Sequence, residues 1–161
     1  MTKMNLPYGV TGGYYMPGED PDPPSIDKSK FYAKCKEVAS LKHIKYEILS
    51  DLETDYKNFY AVKFFFLSNP IYAVVNDAHP FLAFCLADEY GKFGNSFPLD
   101  FIDFEELAEE FSEYTVMKVK ELNKQFNIEE HEELRNVRTI KEQVQRWEPR
   151  TIGDVMFNYW D

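Results

Sequence analysis

NFYAVKFFFLSNPIYAVV, residues 58–75, is the stretch on which the fold turns. Part of its first half alternates polar and apolar residues, and PIYAVV (70–75) is a short apolar run. Side chains of a strand point alternately to two faces, so both halves read as strands, paired through a turn at Ser68–Asn69–Pro70. Upstream, HIKYEIL (43–49) alternates in the same way and reads as a third strand.

Working outward from this hairpin, residues 26–41 place Phe31, Cys35, Val38 and Ala39 at helical spacing with lysines between them, the mark of an amphipathic helix. Residues 1–24 carry Pro17, Pro21, Pro23 and Pro24, which forbid a continuing helix or central strand. They read as an arm, whose Tyr8, Tyr14 and Tyr15 are expected to lie on the body or on a partner. Downstream, AHPFLAFCLADEYGKFG (78–94) reads as a short buried helix ending at glycines. Asp103 with Glu106 matches a relaxed capping box. Phe104, Leu107, Ala108, Phe111, Thr115 and Leu122 then share one face of a helix expected to run to about Phe126. Leu134, Val137, Ile140, Val144 and Trp147 form a second such face, ended by Pro149; Thr151 and Asp154 offer a cap for a last short helix. The expectation is an α+β fold: a small sheet of about three strands packed with four to five helices, as one globular domain (25–161) behind the arm (1–24).

The formal charge of −10 is unevenly placed. Residues 1–63 hold nine basic and nine acidic side chains, and 118–161 hold eight and nine. Residues 64–117 hold Lys92 alone against ten acids. Within that block DFIDFEELAEEFSEY (100–114) has seven carboxylates, four aromatic rings and no basic residue. On a helix, Glu106, Glu109, Glu110 and Glu113 would form a stripe opposite Phe104, Leu107 and Phe111, with Glu105 at its edge. The like-charge pairs 105–109, 106–110 and 109–113 would each cost the helix roughly 0.2–0.5 kcal/mol. Such a field repels nucleic acid and anionic membranes and attracts basic partners. Glu105, Glu106, Glu109, Glu110, Glu113 and Asp100 are therefore the candidate partner-binding residues. A solvated helix face is the plain alternative.

No reaction is legible. His43, His79 and His131 are the only histidines, and EEHEE around His131 lacks ligands three or four residues away, so it reads as an exposed turn of helix. No nucleophile elbow, phosphate loop or HExxH motif occurs. Neither an enzyme nor a cofactor is expected. Cys35 and Cys85 form no ligand-like pair and suit a reducing cytoplasm as small buried hydrophobes. The N-terminus lacks the pattern of a signal peptide, and no apolar run approaches the roughly 20 residues that span a bilayer.

The closing stretch RWEPRTIGDVMFNYWD (146–161) joins Pro149–x–Thr151–x–Gly153 to an apolar pair, Phe157–Asn158, an aromatic residue and Trp160–Asp161. It resembles the end of small acidic immunity proteins of bacterial contact-dependent and polymorphic toxin systems. The resemblance implies a cytoplasmic inhibitor, without catalysis of its own, that binds one toxin domain, often a nuclease. The same residues also have a structural reading, in which Thr151 caps a helix, Gly153 allows close packing, and Val155, Met156, Tyr159 and Trp160 lock the C-terminus down. Charge and resemblance together point to a stoichiometric inhibitor of a basic toxin domain. The alternative is a phage- or plasmid-encoded nucleic-acid mimic that blocks a host defence nuclease.

Overall fold

A computed structural model describes residues 5–12, 18–49, 57–66, 69–86 and 99–158. Its centre is an antiparallel meander of β1 (Lys45–Ile48), β2 (Phe59–Phe65), β3 (Pro70–Asn76), β4 (Phe81–Leu86) and β5 (Asp100–Ile102). A short β6 (Thr115–Val116) joins the far side of β4 in parallel, beside β5. The architecture is α+β, as expected, but the described residues form six strands rather than about three, and six α-helices rather than four to five. The 58–75 hairpin forms with Phe65 opposite Pro70 and Phe59 opposite Asn76. Ser68 of its turn lies outside the described residues.

The expected helix over 78–94 is a strand where it is described. FLAFCL alternates Leu82 and Phe84 into one core and Ala83 and Cys85 into the other, so β4 is buried on both faces. A strand of that kind is apolar throughout, and periodicity alone cannot separate it from a buried helix.

Both faces of the sheet are covered. Against one face α1 (Lys28–Lys42) lays Phe31, Cys35, Val38 and Ala39, along the spacing read from the sequence. Asp27 caps α1 by accepting a hydrogen bond from the Lys30 N–H, and His43 closes it in the left-handed conformation. The other face receives Leu6 and Val10 of the N-terminal segment and the C-terminal elements. These are α3 (Val119–Leu122), a 3-10 turn (Ile128–Glu130), α4 (Glu132–Arg135), α5 (Arg138–Trp147) and α6 (Ile152–Met156).

The expected continuous helix over 128–147 is thus broken. His131, expected on an exposed turn, is extended and buried, with Nδ1 accepting the Leu6 N–H at 3.0 Å and its ring stacked on Phe126. The capping box at α6 forms as read: Thr151 Oγ1 accepts from the Asp154 N–H while Asp154 Oδ2 accepts from the Thr151 N–H.

Three buried asparagines tie the chain's distant parts together. Asn58 and Asn76 both donate to the Val10 carbonyl, and onward to those of Val155 and Met156. Asn158 donates side-chain hydrogen bonds to Thr11 and Val155, and its N–H reaches Asn58 Oδ1 at 2.7 Å. Gly12 (φ +67°) passes so close to this group that a Cβ would stand 2.1 Å from that of Asn58.

Candidate functional site

The acidic stretch is not one helix. After β5, the chain makes a single turn of helix, α2 (Glu105–Ala108), then further turns, and re-enters the sheet as β6 before α3 begins. Two causes favour this over the helix expected to Phe126. The edge of β4 offers partners: the Thr115 N–H donates to Pro80 and the Met117 N–H to Leu82. Thr115 and Val116 are β-branched, and Val116 and Met117 serve opposite cores, which is strand alternation. Glu105 and Glu109 keep helical spacing, the Glu109 N–H donating to the Glu105 carbonyl, but the chain leaves the helix before Glu113, so the 109–113 pair is not held on one face.

The stretch works as an excursion anchored by its rings. Phe104, Leu107, Phe111 and Tyr114 turn into the core shared with α1. Phe111 meets Phe84 edge-on with centroids 6.0 Å apart, Tyr114 meets Phe31 at 6.0 Å, and Phe104 lies 5.1 Å from Phe66. With the apolar side chains drawn inward, the carboxylates are left outside. Glu105, Glu106 and Glu109 are exposed and Glu110 is half-buried. Among the described residues none of these four has an ion-pair partner.

The other candidates are engaged or set apart. Glu113 lies 3.6 Å from Lys34 of α1, so the stretch does have a counter-charge, supplied from a distant part of the chain. A backbone hydrogen bond, then Lys34 and Lys30, hold its carboxyl below the ordinary value. Asp103 does not cap α2, whose N-cap is Phe104; its Oδ1 accepts the Val119 N–H at 2.9 Å and so caps α3. Asp100 is exposed on β5 opposite Leu86, beside rather than within the group of four glutamates. Asp88, Glu89, Tyr90, Phe93 and Phe97, which belong to the same acidic third of the chain, lie outside the described residues, as do Tyr14, Tyr15, Tyr159 and Trp160.

Asp77, grouped with the acids from sequence, belongs to another feature. It lines a cleft of about 260 Å³ with Tyr8, Pro24, Tyr60 and Ile140, where burial pushes its carboxyl up to about 7. Cys35 and Cys85 are free and buried, and burial raises both thiols far above the ordinary value. Among the described residues no group of three or more His, Cys, Asp or Glu is placed to hold a metal ion. No helix among them is long and apolar enough to cross a membrane.

The closing stretch that carries the immunity-protein resemblance is largely interior where it is described: Ile152 to Asn158 are all buried. Gly153 is packed so tightly that a Cβ there would meet Phe101 at 2.7 Å and the Leu122 carbonyl oxygen at 3.2 Å. These residues serve the fold directly. No protein-family model matches the chain, and no curated protein or solved structure is significantly similar to it.

Proposed function

We propose that this protein is a stoichiometric inhibitor, an immunity protein that binds one basic toxin domain of nuclease type in the cytoplasm. The observation that carries the reading is the set Glu105, Glu106, Glu109 and Glu110. These carboxylates are uncompensated by any described cation, yet are held on a turn pinned through Leu107 and Phe111, both fully buried. Carboxylates presented on an ordered turn lose little entropy on binding. They steer a cationic partner at long range and compete for the Lys and Arg side chains that would otherwise hold phosphate. The C-terminal resemblance supports the same reading from different residues, and two buried free thiols suit a reducing compartment. Glu113 is a weaker member of the set, because Lys34 already engages it.

The test uses the native chain and a variant with Glu105, Glu106, Glu109 and Glu110 all changed to Gln, each as bait in lysate of the source cell. The expected result is one basic protein captured by the native chain, inhibited at equimolar ratio, and released by the variant. Expression of that protein in a neutral host should then stop growth unless the native chain is present. Equal capture by both baits would remove the acidic turn from the mechanism. Inhibition of several unrelated DNA-binding proteins, with steep salt dependence, would favour the nucleic-acid mimic.

A further inference from the structure

We propose that the outer edge of β1 is a homodimer interface, at which two copies pair β1 to β1 antiparallel about a two-fold axis at Tyr46. The sequence of the edge is self-complementary: Ile44-Lys45-Tyr46-Glu47-Ile48. Laid antiparallel on itself about Tyr46, it sets Lys45 against Glu47 twice, Ile44 against Ile48 twice, and Tyr46 against its own copy. Opposite charges directly across an antiparallel pair are favourable, whereas like charges there are not. A register centred on Glu47 would oppose two carboxylates, so the charges select one alignment.

The backbone fits that alignment. Leu49 donates its N–H to the Ala61 carbonyl on β2. Antiparallel strands alternate their hydrogen-bonding direction residue by residue. Lys45 and Glu47 therefore turn their amides to β2, and Tyr46 and Ile48 turn theirs to the open side. The Ile44 N–H is taken by the Ala39 carbonyl, which leaves its own carbonyl oxygen as an acceptor. In the dimer the two Tyr46 residues exchange a pair of hydrogen bonds, and each Ile48 N–H meets the carbonyl of the partner's Ile44. Among the described residues no strand pairs with this side of β1, while the other end of the sheet closes with the very short β5 and β6.

Exposed apolar surface gathers at the same place. The three exposed large hydrophobics among the described residues are Leu41 (59%), Ile48 (42%) and Phe65 (39%). Leu41 ends the helix that leads into β1, Ile48 lies on β1, and Phe65 is paired across the ladder with Lys45. Ile44 and Tyr46 pack on the α1-side core, and alternation puts Ile48 on that face too. Pairing would therefore carry one apolar row across the axis and cover Ile48 with the partner's Ile44. A sheet edge of this kind invites a second chain unless it is blunted, and here the edge charges match rather than repel.

Analytical ultracentrifugation of the full chain, over concentrations from nanomolar to high micromolar, tests this directly. The native protein should form a reversible dimer. Lys45→Glu, which sets a carboxylate against each Glu47, should raise its dissociation constant at least tenfold. Lys45→Glu with Glu47→Lys should restore the native value, because the swap recreates both ion pairs. Ile48→Pro should also abolish the dimer while sparing the β2 ladder, since that N–H faces outward. A urea midpoint for each variant separates lost association from lost folding. Lys45 faces Phe65 rather than a charge within the monomer, so the Lys45→Glu arm decides even if Glu47→Lys loosens the contact with Lys63. A monomer at all concentrations would falsify the proposal, and so would a dimer indifferent to Lys45→Glu and Ile48→Pro, or a folded double swap that stays monomeric. None of the residues varied here belongs to the acidic turn, which is inserted between β5 and β6, both paired with β4, so the two proposals fail separately.

Discussion

Two polar regions of the molecule stand in contrast. Around Asn58, Asn76 and Asn158, polar groups lie in the interior, and their side chains bond backbone drawn from the N-terminal segment, the β3–β4 turn, and α6 with the residues after it. Around Glu105 to Glu110, charges lie at the surface and meet no described cation. The first arrangement specifies the structure, since buried amides without partners are costly. The second adds almost nothing to folding, because exposed charges interact weakly through water. A cluster that does little for the fold yet is fixed in place is the more informative one about function.

The sharpest way to break this contrast is at the asparagines. Asn76→Ala removes one of the two side-chain amides on the Val10 carbonyl, the side-chain donor to the Met156 carbonyl, and the acceptor of the Ala78 and His79 N–H groups. It should lower unfolding stability by about 3–5 kcal/mol, measured by urea denaturation. Gly153→Ala comes next. Its methyl must displace the Phe101 ring and press on the Leu122 backbone, for a loss of about 1–3 kcal/mol, again read from the urea midpoint.

Two titrating groups sharpen the comparison with opposite signs. Burial lowers the pKa of His131, whose Nδ1 must stay unprotonated to accept the Leu6 N–H. The unfolded chain therefore takes up the proton first. Stability from this group is complete above about pH 6.5 and is lost as pH falls through the folded value. His131→Gln should remove that acid-side slope from the pH dependence of stability. Asp77 behaves the other way, with a folded value near 7 against an ordinary 3.8. Its contribution is complete below the ordinary value and lost as pH rises through about 7. Asp77→Asn should thus stabilise the protein at pH 8, by about 2 kcal/mol, and flatten the neutral-side slope of the melting temperature.

The smallest effect is expected where function is proposed. Changing Glu105, Glu106, Glu109 and Glu110 to Gln should move stability by no more than about 0.5 kcal/mol, while partner binding is lost. A large loss of stability there would mean that these carboxylates are structural after all.

Legibility from sequence followed locality. Helix α1, the strands β1 to β3 and the Thr151–Asp154 capping box were readable because each signal spans only a few residues. β4 was misread because an apolar run without alternation fits a buried helix as well as a strand, whereas β3, equally buried, was marked by its turn with β2. His131 was misread because its partner, the Leu6 amide, lies 125 residues away. The candidate glutamates were legible as charges, but their geometry was not. Lys34 pairs with Glu113 only because α1 packs beside the excursion, and Asp103 caps a helix that starts sixteen residues later.

The amino-acid sequence alone settled where the negative charge resides, that α1 is amphipathic, and how α6 begins. Those properties arise from side-chain chemistry and from hydrogen bonds between near neighbours. The folded molecule alone decided that residues 100–116 leave the sheet and return to it. It also decided that Glu113 is paired with Lys34 while four neighbours meet no described cation, and that among the described strands β1 lies at the sheet edge with the Tyr46 and Ile48 amides facing outward. Each of those outcomes depends on a competing hydrogen bond or charge contributed by residues remote in the chain, beyond the reach of any local pattern.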